Sequence, residues 1–496
     1  MSIGTSSPHD ASAAANGHRD HIECFVNGQR QRVHGETAFW TLSDFLRHHL
    51  GQTGSKIVCA EGDCGACSVL IGKRDDAEDD RLNYQAVDSC IVFMHQLDQC
   101  HVVSIEGIGD AENLSEIQQA MVNCHGSQCG FCTPGFVTTM HGIVEQCDAR
   151  QCKPIAEDTL RLGLSGNLCR CTGYVQIVEA AKSVSPRDVS RMNDRYPPGT
   201  LLKVWDELGD DPISLEDGRR TVFAAKTVDQ AIAFKAHQVE ARMISGATDV
   251  GVQNNHGHDP GDVRLDLSGV ESMRQITVDD VITIGATATW TELLGVVEAY
   301  YPDFGDVIRR FGSPQIRNFG SIGGNLANAS PIADSIPFLY SIDAKLRLQS
   351  VRGIREVSVV DFYLGYKKTE LLADEIITAV ICPIPEDHET VKLYKISKRR
   401  DMDISTLAAA FRLRRSGERI DSVSIAMGGV GPTVLRLSRC EAFLHGQVFA
   451  PEILAEAGKI ARDEITPISD VRGGAAYRWQ VAENLFQKWF HDVEAS

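Results

Sequence analysis

The chain has 496 residues, 43% of them hydrophobic and 23% charged, and 49 Lys+Arg against 67 Asp+Glu give a formal charge of −18. At about 150 residues per domain this length has room for three or so buried cores, and the composition excludes collagen-like and disordered classes. The acidic balance argues against nucleic-acid binding, and no run of about 18 apolar residues marks a membrane span.

Residues 1–20 are polar and small, without the apolar stretch of a secretory signal or a twin arginine, so a flexible tail and a cytoplasmic location are expected. Ile22 to Val26 reads as a strand closed by an Asn27-Gly28 hairpin turn, and Thr41 caps a helix whose apolar face is Leu42, Phe45, Leu46 and Leu50. After a glycine- and cysteine-rich loop, Ser68–Ile71 and Cys90–Met94 complete a small α+β unit. From Ser115 to Ala181 the period becomes 3.6, with faces at Ile117/Ala120/Met121, Phe136/Val137/Met140/Ile143/Val144 and Tyr174/Ile177/Val178/Ala181, and with Pro134 at a helix start. Residues 185–220 are Pro- and charge-rich and read as a linker. Helices at 228–236 and Trp290–Tyr300 then alternate with strands at Arg242–Ser245 and Val281–Ala286. A last region from Tyr394 carries strands at Leu407–Leu413 and Val423–Met427 and a closing helix Tyr477–Phe490.

Thirteen of the fifteen cysteines precede residue 172, an odd total unsuited to a disulfide framework. Cys59-x4-Cys64-x2-Cys67 with Cys90 following is the plant-type 2Fe–2S spacing; Gly62 and Gly65 allow the tight loop this needs, and Cys90 lacks the nearby mate of a zinc clip. Cys129-x2-Cys132 with Cys169-x-Cys171 is two clipped pairs, and spacing alone leaves iron–sulfur and zinc both open. Each of these pairs precedes an expected helix, whose N-terminus favours an anionic group.

Two later segments are glycine-rich: Arg242 to Gly251, and Phe311 to Asn325 continuing to Asp334. Their backbone N–H groups could cradle a pyrophosphate, although ordinary turns read the same way, and neither is G-x-G-x-x-G. His48, His49, His256 and His258 show no metal or triad pattern.

The contexts Gln128-Cys129-Gly130-Phe131-Cys132-Thr133-Pro134-Gly135 and Asn167-Leu168-Cys169-Arg170-Cys171-Thr172-Gly173-Tyr174, with the first cysteine set, resemble the iron–sulfur region of the molybdenum hydroxylases, the xanthine dehydrogenase/aldehyde oxidase family. The resemblance implies eight cluster ligands, Cys59, Cys64, Cys67 and Cys90 for one 2Fe–2S cluster and Cys129, Cys132, Cys169 and Cys171 for another. The other seven cysteines match no ligand position. The two glycine-rich segments are similar to the loops of that family's vanillyl-alcohol-oxidase-like FAD domain. FAD contacts then fall on Met243, Ile244, Ser245, Gly246, Ala247, Thr248, Asp249, Val250, Phe311, Ser321, Ile322, Gly323, Gly324, Asn325, Asp334, Ile377 and Lys395. Ala247 and Asp249 depart from the Asn and Glu of mammalian members. Tyr366 and the stretch 398–403 fall near the NAD entry.

The architecture implied is α+β multidomain: a β-grasp ferredoxin-like domain (21–108), a four-helix cluster domain (109–184), the linker (185–220), an FAD-binding domain (221–388) and an α+β C-terminal domain (389–496). No counterpart of the family's molybdopterin-binding region is found, so the resemblance implies an electron-transfer subunit with a molybdopterin-binding large subunit as partner, in an α2β2 heterotetramer. Xanthine or hypoxanthine would be oxidised to urate on the partner, electrons running through both clusters to FAD and NAD+, with no catalytic side chain in this chain. The same subunit could serve an aldehyde or N-heterocycle hydroxylase; a redox sensor or binding module without turnover is the reading from another class.

Overall fold

The computed structural model describes residues 17–75, 78, 80–110, 112–151, 153–258 and 260–495; most of the expected tail, and Cys152, lie outside the described residues. The chain forms two compact units. One holds residues up to Glu271 together with Ser313–Gly320, the other Ser272–Gly312 and Ser321 onward.

The first unit opens on a mixed sheet of β1 (Ile22–Val26), β2 (Gln29–Val33), β3 (Ser68–Arg74), β4 (Leu82–Asp88) and β5 (His101–Val103), ordered β2-β1-β5-β3-β4 with β1 and β5 parallel. Asn27 and Gly28 both take positive φ, 49° and 76°, the two-residue turn whose twist suits a hairpin. Alternation along the strands serves two cores. Cys24, Val26, Val69, Ile71 and Val102 face one that includes Leu42, Phe45 and Leu46, while Phe25, Leu70 and Val103 face the helical domain. A sheet covered on both faces reads as continuous apolar strands, as Ile22–Val26 does. Thr41 caps the expected helix by accepting from Asp44 N–H, but only Leu42–Asp44 is α-helical and Phe45–His49 widens into a π-turn.

Among the described residues the cluster domain has four helices, Glu116–Asn123, Thr133–Glu145, Glu157–Gly163 and Val175–Lys182. The third buries only Leu160, too little apolar signal to show in the periodicity. Gly142 lets Thr133–Glu145 lie against the sheet, since a Cβ there would sit 3.1 Å from Ala86 Cβ. The expected linker is structured. Its ten-residue helix Gly199–Leu208 buries Leu201, Leu202 and Trp205 in the helical core, because its apolar positions share one face despite the flanking prolines and acids. A sheet of β6 (Ile213–Glu216), β7 (Thr221–Ala224), β8 (Arg242–Ile244) and β9 (Val263–Asp266), ordered β6-β7-β9-β8, ends this unit.

The second unit has a five-stranded sheet, β10 (Ile276–Val278), β11 (Val281–Gly285), β12 (Lys345–Ser350), β13 (Gly353–Ser358) and β16 (Ile376–Pro383), ordered β10-β11-β16-β12-β13, with a small hairpin β14 (Tyr363–Gly365)–β15 (Lys368–Thr369). Trp290–Tyr300 is helical as expected, with a capping box between Thr289 and Glu292. The antiparallel sheet β17 (Glu389–Ile396), β18 (Leu407–Ser416), β19 (Arg419–Gly428) and β20 (Leu435–Arg436) packs a core of Phe411, Phe486 and Trp489 against the closing helix Ala475–Glu494. Among the described residues no helix is long and apolar enough to cross a membrane.

Candidate cofactor sites

The cysteines of the first set converge. Hydrogen bonds from the Cys64 and Cys90 thiols, helped by the N–H groups of Glu61 and Asp63, hold the Cys59 sulfur far below the ordinary thiol range. Hydrogen bonds with Cys59 and Cys67, together with burial, push the Cys90 thiol up. The loop that brings them together needs its glycines. Gly65 has φ +65°, and a Cβ there would lie 2.4 Å from the Gly166 carbonyl oxygen. Behind Cys67 the Asp88 carboxyl is buried, with Cys67 Sγ at 3.7 Å and Ser68 Oγ at 3.4 Å; burial pushes it up to about 7.

The second set forms two pairs. Cys171 Sγ donates to Cys129 Sγ at 3.3 Å, while Cys132 neighbours Cys169 and is pushed up to about 12 by burial and by that neighbour. Burial would raise Cys169, but donations from the Thr172 hydroxyl (3.1 Å) and N–H (3.4 Å) bring it below the ordinary thiol value. Tyr174, with φ 74°, turns its hydroxyl back to accept from Cys169 N–H at 3.0 Å. Pro134 at the start of Thr133–Glu145 and the turn before Val175–Lys182 place both pairs at helix N-termini. No three His, Cys, Asp or Glu side chains among the described residues are arranged for a single metal ion. Two thiolates on each iron is what a 2Fe–2S rhomb asks for, and a pairwise meeting of sulfurs fits that group. Thr172 and Tyr174 stood in plain view in the sequence, but neither carries a local mark of supporting a sulfur.

The segments compared with FAD loops fall in both units. In the first, Met243 and Ile244 end β8, Ser245 to Ala247 turn the chain, and Thr248–Asn255 is helical. Ala247 is left-handed at φ 53°, a conformation that asparagine adopts more readily than alanine. Gly246 is obligatory, because a Cβ would lie 2.2 Å from Phe319 O. Thr248, Asp249 and Val250 fill the first helical turn, whose N–H groups precede the helix's own hydrogen bonds and suit a phosphate. This helix also touches the first cysteine loop: Asn255 Nδ2 donates to Ala60 O and Cys90 O, each at 2.8 Å, and His256 pairs with Glu61 at 2.8 Å.

In the second unit the picture differs. The N–H groups of Ile322, Gly323, Gly324 and Asn325 go to Ala288 O, Ala286 O, Ser321 Oγ and Ser321 O, so these donors are spent within the chain. Asp334 and Lys395 are brought together: Lys395 Nζ donates to Asp334 Oδ2 (2.6 Å), Asp403 O (2.7 Å) and Ser405 Oγ (2.9 Å), which occupies all three of its hydrogens. Ser405, which the sequence did not single out, also donates to Asp334 at 2.5 Å. Phe311 packs edge-on against Trp290, Ile377 is buried in β16, and Tyr366 is exposed.

Four family models match in order: a 2Fe-2S iron-sulfur cluster binding domain (24–95), a second 2Fe-2S binding domain (104–182), the FAD binding domain in molybdopterin dehydrogenase (217–385) and the CO dehydrogenase flavoprotein C-terminal domain (392–493). This is the domain set of the iron–sulfur/FAD subunit of the molybdenum hydroxylases. Xanthine dehydrogenase 1 of Arabidopsis thaliana is 29% identical over 94% of this chain and 39% of its own, and xanthine dehydrogenase of Emericella nidulans is 30% identical over 96% and 39%. The chain thus spans about two-fifths of the curated relatives it matches. Among solved structures, a carbon monoxide dehydrogenase from Hydrogenophaga pseudoflava (TM-score 0.52, 26% identity, 54% of this chain and 95% of that one) and quinoline 2-oxidoreductase from Pseudomonas putida 86 (0.51, 26%, 54% and 94%) share the fold. The chain is an iron–sulfur flavoprotein by its domains, with two 2Fe–2S domains and one FAD-binding domain in an α+β multidomain arrangement.

Proposed function

We propose that this chain is the electron-transfer subunit of a molybdenum hydroxylase of the xanthine dehydrogenase kind. The observation that carries the reading is the convergence of eight cysteines in two sets, the first more enclosed than the second. When bound, the clusters supply one-electron relays and the flavin a store that pairs electrons. The chain's residues set the order. Cys129 and Cys171 are exposed beside Phe131, Leu168 and Val175, an apolar rim at which a partner's molybdopterin centre could deliver electrons. Leu168 N–H reaches Cys64 O at 3.0 Å, joining that rim to the enclosed set, and Asn255 joins the enclosed set to the helix following Met243–Ala247.

Cys59, Cys64, Cys67 and Cys90 would hold one cluster, and Cys129, Cys132, Cys169 and Cys171 the other. Thr248–Val250 would meet the flavin's pyrophosphate. Xanthine or hypoxanthine as substrate, and NAD+ as acceptor, rest on likeness to xanthine dehydrogenases along nearly the whole chain; an α2β2 assembly with a molybdopterin-bearing large subunit completes the reading. None of the fourteen described cysteines is in a disulfide, in keeping with a cytoplasmic setting.

The test is to purify the tagged chain with whatever accompanies it. About four irons per chain, bound FAD, a molybdenum-bearing partner and bleaching by xanthine support the reading. Zinc without flavin overturns it. Bleaching by quinoline or an aldehyde instead of xanthine would keep the subunit type and replace the substrate. Anaerobic NADH that leaves the flavin oxidised would remove NAD+ as acceptor.

A further inference from the structure

Ser313–Gly320 packs with the cysteine domains, although the chain on both sides of it belongs to the other unit. Ser313 caps the single turn Pro314–Arg317 by accepting from Ile316 N–H, and this turn carries Gln315 inward until only 1% of it is exposed. Gln315 Nε2 lies 3.2 Å from Ser68 Oγ, 3.2 Å from Thr139 Oγ1 and 3.0 Å from Asn167 Oδ1. Ser68 follows Cys67, Asn167 is two residues before Cys169, and Thr139 is on the helix that begins after Cys132.

The orientation of these groups is determined. Ser68 Oγ and Asn167 Nδ2 both donate to Gly65 O, at 2.8 and 3.1 Å, so the serine hydrogen is spent and the asparagine must turn its oxygen toward Gln315. Gln315, Ser68, Gly65 and Asn167 therefore close a ring of hydrogen bonds, and only a donor at Gln315 completes it. Gly166 makes room, since a Cβ there would lie 2.1 Å from Gln315 Oε1. One residue beyond Asn167 is the Leu168 N–H that reaches Cys64 O.

We infer that Gln315 is a positioning residue, fixing the spacing and mutual orientation of the two cysteine loops and hence the coupling of the centres they hold. The inference rests on the proposed reading that both sets bind 2Fe–2S clusters. Asn167 and Leu168 already tie the two loops through Gly65 O and Cys64 O, and the donor that completes the ring comes from a segment between Gly312 and Ser321.

The test compares the full chain with Gln315→Glu, which keeps the shape but removes the paired N–H donors, with Gln315→Leu, and with Thr139→Val, which removes one acceptor. Iron, flavin and the electron paramagnetic resonance spectrum after dithionite reduction are read for each. Expected are unchanged iron and flavin, unchanged signals of each centre in half-reduced samples, and loss or change of the splitting each signal receives from the other when both are reduced. Thr139→Val should show the same change in smaller measure. Unaltered splitting in both Gln315 variants overturns the inference, and so does loss of iron from both, which would make the residue merely structural. Absence of iron from the parent chain overturns the cluster reading and the inference with it.

Discussion

Cys67 and Cys90 are each 2% exposed, whereas Cys129 and Cys171 stand at the surface. The first set is wrapped by a single loop plus one distant residue, with a helix of the neighbouring sheet domain holding Ala60 O and Cys90 O from outside. The second is held between two helix starts that leave one side open. Both can meet the same chemical demand, four thiolates in two pairs. On the proposed reading, the difference in enclosure concerns what else must approach: another redox centre at the second set. Exposure and hydrogen bonds to sulfur also tune cluster potentials, so the two sites are built to differ.

The hardest blow to the comparison is removal of a ligand. Cys67→Ser is expected to cost upwards of about 5 kcal/mol, because metal binding and loop folding are one event in an enclosed site. Cys171→Ser should lose iron with little unfolding. Iron analysis with thermal melting checks both, and equal melting losses would erase the distinction. Next is Gly65→Ala, where a left-handed backbone and a Cβ 2.4 Å from Gly166 O together should cost about 3 kcal/mol in chemical denaturation.

Acid sharpens the contrast by showing where it stops. Burial holds His101, in the sheet domain, down at about 4, and His141, on the helix after Cys132, at about 3, against an ordinary 6.5. His101 shows why: Gly28 N–H donates to Nε2 at 3.0 Å and Tyr84 OH faces Nδ1 at 2.6 Å, so a second ring proton has no acceptor. The unfolded chain takes these protons below 6.5 and the folded one refuses them. Each histidine's contribution is thus full above 6.5 and falls as pH drops toward 4, by about 2 kcal/mol at pH 5, while Asp88, raised to about 7, shifts stability the opposite way. Denaturation at pH 8 and pH 5 checks this, with His101→Gln and His141→Gln flattening the fall. The smallest effect is Gly173→Ala in the open loop, left-handed at φ +72° but with nothing within 4 Å of a Cβ, expected at about 1 kcal/mol in the same denaturation experiment.

Local chemistry was legible in the sequence. Asn27-Gly28 announced its turn, Thr41 its cap, and the cysteine spacings their convergence. What escaped was non-local. The Gly199–Leu208 helix hid in a Pro- and charge-rich stretch because Leu201, Leu202 and Trp205 acquire meaning only against the helical core. Lys395 and Asp334 were picked separately, but that they bind each other is a property of a strand, a helix start and a loop meeting. Gln315 lay inside a glycine-rich segment that was read for phosphate, and nothing in its neighbours foretells acceptors on three distant elements.

The detour of Ser313–Gly320 also bears on biosynthesis. Gln315 is 247 residues beyond Ser68 and 148 beyond Asn167. N-terminal domains usually fold as the ribosome delivers them. Here the cysteine loops can form early, but their mutual lock waits until residue 320 has left the tunnel. A chain arrested before that point would hold two finished domains without the donor that completes their ring, so, on the inference above, translation delays the final setting of the centres until part of the FAD-binding region (217–385) has been made.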